Sequence, residues 1–200
     1  MKPVAIEDGG RYQDAVFTDL KQSGTVQGAT FVGCTFQAAR VREAAVHGCR
    51  FLACSFTECD LSLADVEGSA FRDVTFDSCN LTGVNWSRAV QTLHDPLEVD
   101  FRECVLDFGV FYRCTLEGRR LAHCVAHECD FRNAVLVDAV CRGTDFAGSS
   151  FDGADLRGAD LRRAKNYVID VRHTLVKGAR FTLPEATALL LGLEIQLESE

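Results

Sequence analysis

No apolar run in this chain approaches the ~20 residues that a helix needs to cross a bilayer, and the polar start from Met1 to Gly10 lacks the apolar segment of a secretory signal. A helical membrane protein is excluded, and a cytoplasmic location is expected. The sequence also lacks a P-loop, a dinucleotide-binding fingerprint, a nucleophile elbow and an HExxH pair. No enzyme and no cofactor are expected. Positive charge is scarce in one stretch: residues 51 to 100 hold Arg72 and Arg88 against nine acidic residues, a net of minus seven. An acidic body repels nucleic acid and attracts proteins that bind it, so no direct nucleic-acid contact is expected.

What the chain does have is a phase. Read in steps of five from Val26 to Phe181 it makes thirty-two stops, of which twenty-seven hold Phe, Leu, Val or Trp, and twelve of its fourteen Phe fall there. A fixed short period marks a repeat architecture. Two positions before each stop the residue is small, as at Ala29, Cys34, Ala39, Cys49 and Ala154. Side chains two apart on an extended segment point the same way, so each unit buries one small and one large group. Eleven of sixteen Gly sit two residues after a stop, where a corner needing positive φ accepts Gly without steric cost.

At a spacing of twenty, one column reads Phe31, Phe51, Phe71, Gln91, Phe111, Phe131, Phe151, Val171 and another Val26, Val46, Val66, Trp86. Four units per turn satisfies both, and coils stacked about 4.8 Å apart suit both strand pairing and ring stacking. The expected fold is all-β: a four-sided β-solenoid of about eight coils. One outward column at the same spacing holds Arg42, Arg102, Arg142 and Arg162, so one edge of the rod is basic.

The frame reassigns the tempting chemical clusters. Nine of ten Cys occupy the small inward position and Cys141 occupies a stop, so they read as core residues with free thiols. In the run from His123 to Cys129 the Cys point inward and the His outward, and they cannot converge on one metal. Asp145, Asp155 and Asp160 fill a repeated polar slot rather than a catalytic pair.

Three segments leave the frame. Residues 1–22 read as an N-terminal cap, with Tyr12 and Phe17 out of phase. The repeats run over 23–181, interrupted at 87–100 by a loop or short helix with Gln91 and Pro96 on the two lost stops. Residues 182–200 read as a short C-terminal α-helix and tail, since Pro184 and Glu185 suit a helix start and the leucines that follow cover more than one face. Capping the last coil, which would otherwise expose a strand edge, and forming a dimer contact are both open to it.

Units such as Ala154-Asp155-Leu156-Arg157-Gly158 and Ala159-Asp160-Leu161-Arg162-Arg163 resemble the A(D/N)LXX consensus of pentapeptide repeat proteins, whose fold is a right-handed quadrilateral β-helix. The run Asn166-Tyr167-Val168-Ile169-Asp170, with Phe181 to Ala186 and the leucines after it, is similar to the C-terminus of the gyrase-protecting subfamily of the Qnr, MfpA and AlbG types. That resemblance implies a DNA-gyrase partner, with topoisomerase IV as a further one, protection from quinolone- or albicidin-type poisons, and a homodimer through Leu189, Leu190, Leu193, Ile195 and Leu197. The charge of residues 51 to 100 and the irregular stretch at 87–100 point to an acidic partner surface of Glu58, Asp60, Asp65, Glu67, Asp73, Asp77, His94, Asp95, Glu98 and Asp100, which suits the duplex-DNA mimicry of that subfamily. A scaffold or interaction module with a non-topoisomerase partner is the alternative.

Overall fold

The computed structural model describes residues 6–22, 24–92 and 96–193. Short segments pair in parallel with the segment about twenty residues on, and the chain turns a corner after each one, so that a four-sided rod is built. One side is a six-stranded sheet of Val16–Thr18, Thr35–Gln37, Ser55–Thr57, Val74–Asp77, Val99–Arg102 and Leu121–Ala122. A second carries Arg11–Gln13, Thr30–Val32, Arg50–Leu52 and Ala70–Arg72, and a third pairs Thr25–Gln27 with Ala45–His47. The fourth has no strand among the described residues; single bridges link Arg40, Asp60, Asn80, Val105, Val125, Asp145 and Lys165. The quadrilateral is thus uneven, with strands on three sides.

Most units adopt the same corner whatever residue stands there, Arg88, Glu98, Val168 and His173 being the departures among the described residues up to Gly178. The position two after a stop takes positive φ at Gly28, Gly48, Gly153 and Gly158, and equally at Glu58, Leu63, Phe108 and Glu128. Inward aromatic rings stack rung on rung: Phe17, Phe36 and Phe56 at 4.8 and 4.4 Å, and Phe31, Phe51 and Phe71 at 4.8 and 5.0 Å. Offset stacking at these separations adds to the area each ring buries.

All ten Cys are free and buried. Burial pushes Cys54 up to about 11 and Cys114, Cys129 and Cys141 up to about 12, so these thiols stay protonated. Within the stack of Cys59, Cys79, Cys104 and Cys124, thiol hydrogen bonds to Cys104 raise Cys79 and Cys124 and lower Cys104 itself.

The structure corrects four expectations. The coils are not equal: Val74 to Asp77 pairs with Val99 to Arg102, so one coil spans twenty-five residues and the even tally of about eight coils fails. Beyond it every column moves over by one side. Trp86 stacks on Phe111, which continues the column of Val26, Val46 and Val66 rather than that of Phe71. Arg42 is likewise separated from Arg102, Arg142 and Arg162, because the column of Arg42 passes through Ser62 and Thr82 to Asp107. Finally, the C-terminal segment is a 3₁₀ helix over Glu185–Leu193 rather than an α-helix. Its start is tied by Thr187 N–H to the Pro184 carbonyl at 3.0 Å, and three residues per turn lays Ala188 and Leu189 against the core.

Residues 11–18, expected in a cap, already form rungs. Tyr12 pairs with Phe31 and Phe17 with Phe36, one residue short of the regular spacing. Near the other end Tyr167 and Ile169 enter the core and Asn166, on the stop, turns outward with positive φ.

Candidate functional site

The expected acidic surface begins with residues whose outward direction is set by the rung they stand on. Each such residue occupies one of three outward slots per unit: before the stop, after it, or at the corner. Asp60 stands before a stop and turns its carboxylate back onto its own chain, accepting from Ser62 N–H at 3.1 Å and Ser62 Oγ at 2.7 Å. Asp65 accepts from Glu67 N–H at 3.2 Å in the same way. These Asx turns satisfy backbone donors at the corner, so the carboxylates are partly used by the lattice.

The structure places the acidic residues on all four sides and does not gather them. Glu58, Asp77 and Asp100 lie on the six-stranded side, Asp73 on the second, Asp65 and Glu67 on the third and Asp60 on the fourth. Several are compensated. Arg88 reaches both Asp65, at 3.2 Å, and Glu67, while His47 Nε2 lies 2.9 Å from Asp65. His47, Asp65 and Glu67 could converge on a cation by distance, but both carboxylates are already engaged by the Arg88 guanidinium. Arg102 pairs with Asp77 at 2.8 Å, and Asp100 accepts the Arg120 N–H of the next coil at 2.7 Å. Glu58 and Asp73 are exposed corner residues at positive φ. His94 and Asp95 lie outside the described residues.

The long coil brings a different group together. Asn85 caps a 3₁₀ turn over Trp86–Arg88, accepting from Ser87 N–H at 3.1 Å. Gln91, on a lost stop, accepts Thr115 N–H at 3.1 Å and approaches Cys114 Sγ at 3.4 Å, while Leu97 rather than Pro96 is buried. The interruption is therefore anchored into the core at both ends.

Of the expected dimer residues, Leu189 packs on the core and covers the last coil, Leu190 is half-buried and Leu193 is exposed; Ile195 and Leu197 lie outside the described residues. Charge reasoning from the sequence missed the arrangement around Asp160. That carboxylate is 2 % exposed and receives Arg142 Nε at 2.6 Å and the Arg162 guanidinium at 2.8 Å, with Arg180 at 3.6 Å. The regular spacing of twenty, which sets Val140, Asp160 and Arg180 on successive rungs, was the signal that could have found it. No helix among the described residues is long and apolar enough to cross a membrane.

The comparisons agree with this architecture. The family model for pentapeptide repeats matches residues 127–163 in eight copies. No curated protein matches the sequence. Among solved structures, full-length QnrB1, a plasmid-mediated fluoroquinolone resistance protein, is 17 % identical, with a TM-score of 0.57 over 93 % of this chain and 100 % of that one. A trypsin-treated variant of QnrB1 is 20 % identical, with a TM-score of 0.51 over 98 % of this chain and 94 % of that one. The five-residue spacing matched at 127–163 continues through the coils on either side, so the chain has the β-solenoid fold of these proteins and its residues 127–163 match the pentapeptide repeat family.

Proposed function

We propose that this protein binds DNA gyrase, with topoisomerase IV as a further partner, and protects the enzyme from a quinolone- or albicidin-type poison. The observation that carries the reading is the end-to-end likeness to QnrB1, whose full length this chain matches. The rod itself supports it. The stretch 51–100 carries a net of minus seven, and its described carboxylates are spread over all four sides, as a duplex presents charge around its circumference. A basic DNA-binding cleft rewards such a partner and steers it inward. Protection then comes from competition at the DNA-binding surface or from destabilising the drug-trapped cleavage complex. Surface shape and charge are the agents, without a catalytic group. Self-association through the C-terminal segment, with Leu193 as its exposed apolar residue, would double the length of the rod.

A second reading, an interaction scaffold with a non-topoisomerase partner, is favoured by the internal pairing of Asp65, Glu67 and Asp77. A gyrase supercoiling assay with and without ciprofloxacin or albicidin separates the two. The first reading expects drug protection, or inhibition of supercoiling, at micromolar protein; neither effect would leave the scaffold.

A further inference from the structure

The six-stranded side, continued past Ala122 by single bridges, is a flat face of nine rungs centred on Phe17, Phe36, Phe56, Phe76, Phe101, Leu121, Cys141, Leu161 and Phe181. Its outward charges change sign at the middle rung. Before Phe101 they are Asp19, Glu58 and Asp77, with no Lys or Arg on those rungs. After it they are Arg120, Arg142, Arg162, Arg163 and Arg180, and the one carboxylate among them, Asp160, is buried beneath three guanidiniums. The middle rung holds Asp100, Arg102 and Glu103.

We propose that this face pairs with the same face of a second copy, the two rods lying side by side and antiparallel about a twofold axis at the Phe101 rung. A twofold contact is self-complementary, so the rung n places after the axis meets the rung n places before it. Counting outward, Arg120 meets Asp77, Arg142 meets Glu58, and Arg180 meets Asp19. Arg162 and Arg163 meet the rung of Gln37, a neutral acceptor, and Arg102 meets Glu103 across the axis. Away from the axis each acidic residue of one half finds an arginine, and like charges face each other only on the middle rung, where Asp100, Arg102 and Glu103 lie near their own copies and the Arg102–Glu103 contact offsets them. A parallel pairing would instead oppose each sign to itself, which is costly.

The face is built for rigid docking. The Asp160 carboxylate fixes Arg142 and Arg162 at 2.6 and 2.8 Å, so less side-chain freedom is lost on contact. The partner contributes little apolar area, and nine rungs about 4.8 Å apart make a strip on the order of 38 Å long. At a strip width of about 10 Å the two copies together bury on the order of 800 Å², below the ~1,200 Å² of stable complexes. The association is therefore weak, fast and governed by salt. It is separate from the end-on contact of the C-terminal segment and does not rest on the gyrase reading.

Sedimentation velocity of the full chain over a concentration series tests it. The self-association constant is expected to fall about 10-fold or more between 25 and 300 mM NaCl, as exposed charge pairs are screened. Glu58→Arg and Arg142→Glu should each weaken the low-salt association, and the double variant Glu58→Arg/Arg142→Glu should restore it with the pair reversed. A Glu103→Cys variant, near the axis, should oxidise with diamide to a covalent dimer, the native thiols being buried, while Glu58→Cys should not. Salt-independent association, failure of the double variant to restore it, or no Glu103→Cys dimer at low salt would overturn the proposal.

Discussion

The coils before the long turn and those after it follow one five-residue frame but different backbones. Up to Ala122 three sides carry extended strands, whereas the described coils after it form single bridges and turns, followed by the 3₁₀ helix of Glu185–Leu193. The outward residue before each stop accounts for much of the difference. At Thr30, Thr35, Arg50 and Ser55 the segment is extended, although Arg40, Thr115, Ser150 and Arg180 in the same slot stand on single bridges. Where it is Asp or Asn it bends back: Asp130 accepts from Arg132 N–H at 3.0 Å, Asp145 from Ala147, Asp155 from Arg157 and Asp160 from Arg162. A turn on one rung imposes itself on the next, so Val135 and Val140 follow the Asp155 and Asp160 with which they pair. Asp100 is the exception, because its carboxylate is engaged by Arg120 N–H. An Asx turn in that slot thus favours the bent unit, while the apolar stop sets the period.

The severest challenge to this comparison is to the core that both halves share. Phe51→Ala removes a ring stacked on two neighbours and should cost about 3–5 kcal/mol, and Leu136→Ala about 2–5 kcal/mol, in urea unfolding. A markedly cheaper Leu136→Ala would mean that the turn-built half is held by its outward carboxylates instead. Asp160→Ala comes next: three guanidiniums lose their shared acceptor, and a loss of about 1–3 kcal/mol is expected.

Acid should separate the halves. The Arg132 guanidinium holds Asp130 below the usual carboxylate range and Arg157 does the same for Asp155. At Asp145 burial pushes upward, but the Asn166 amide, the Ala147 N–H and His127 outweigh it; Arg172 lowers Asp170. A carboxyl whose folded pKa is depressed contributes stability above its unfolded pKa, near 4, and that contribution disappears as pH falls through the folded value. These four residues all follow Ala122. Hydrogen exchange corrected for intrinsic rates should show the coils after 122 losing protection from about pH 4 downward before the aromatic coils do. Equal loss in both halves would contradict the role given to the Asx turns.

The smallest effects are at single corners. Asp155→Ala should cost on the order of 1 kcal/mol through one lost backbone acceptor. Phe108→Gly should stabilise by roughly 1 kcal/mol or less in thermal melts, since an exposed ring at φ 59° is replaced by the residue that tolerates that region.

The period, the inward assignment of Cys and Gly-bearing corners, and the rod itself were legible in the sequence because they depend on local spacing alone. The column shift was not. Gln91 and Pro96 keep the count in multiples of five, and nothing local tells whether a coil holds four units or five; that depends on Leu97 and Val99 finding the rungs of Phe71 and Val74. Every statement about which charges share a side across the long coil inherited this ambiguity, which is why Arg42 was grouped with Arg102. The acidic residues were legible by count but not by place, since the side a charge occupies is set by coil register. The 3₁₀ form of residues 185–193 depends on packing against the last coil rather than on propensity.

On the proposed reading the rod occupies the DNA-binding surface of gyrase. The most direct measurement is a competition: immobilised full chain, purified gyrase, and increasing linear duplex DNA. Gyrase should bind at micromolar or lower concentration and be displaced as the duplex saturates it. No binding, or binding that duplex DNA leaves unchanged, would contradict the claim.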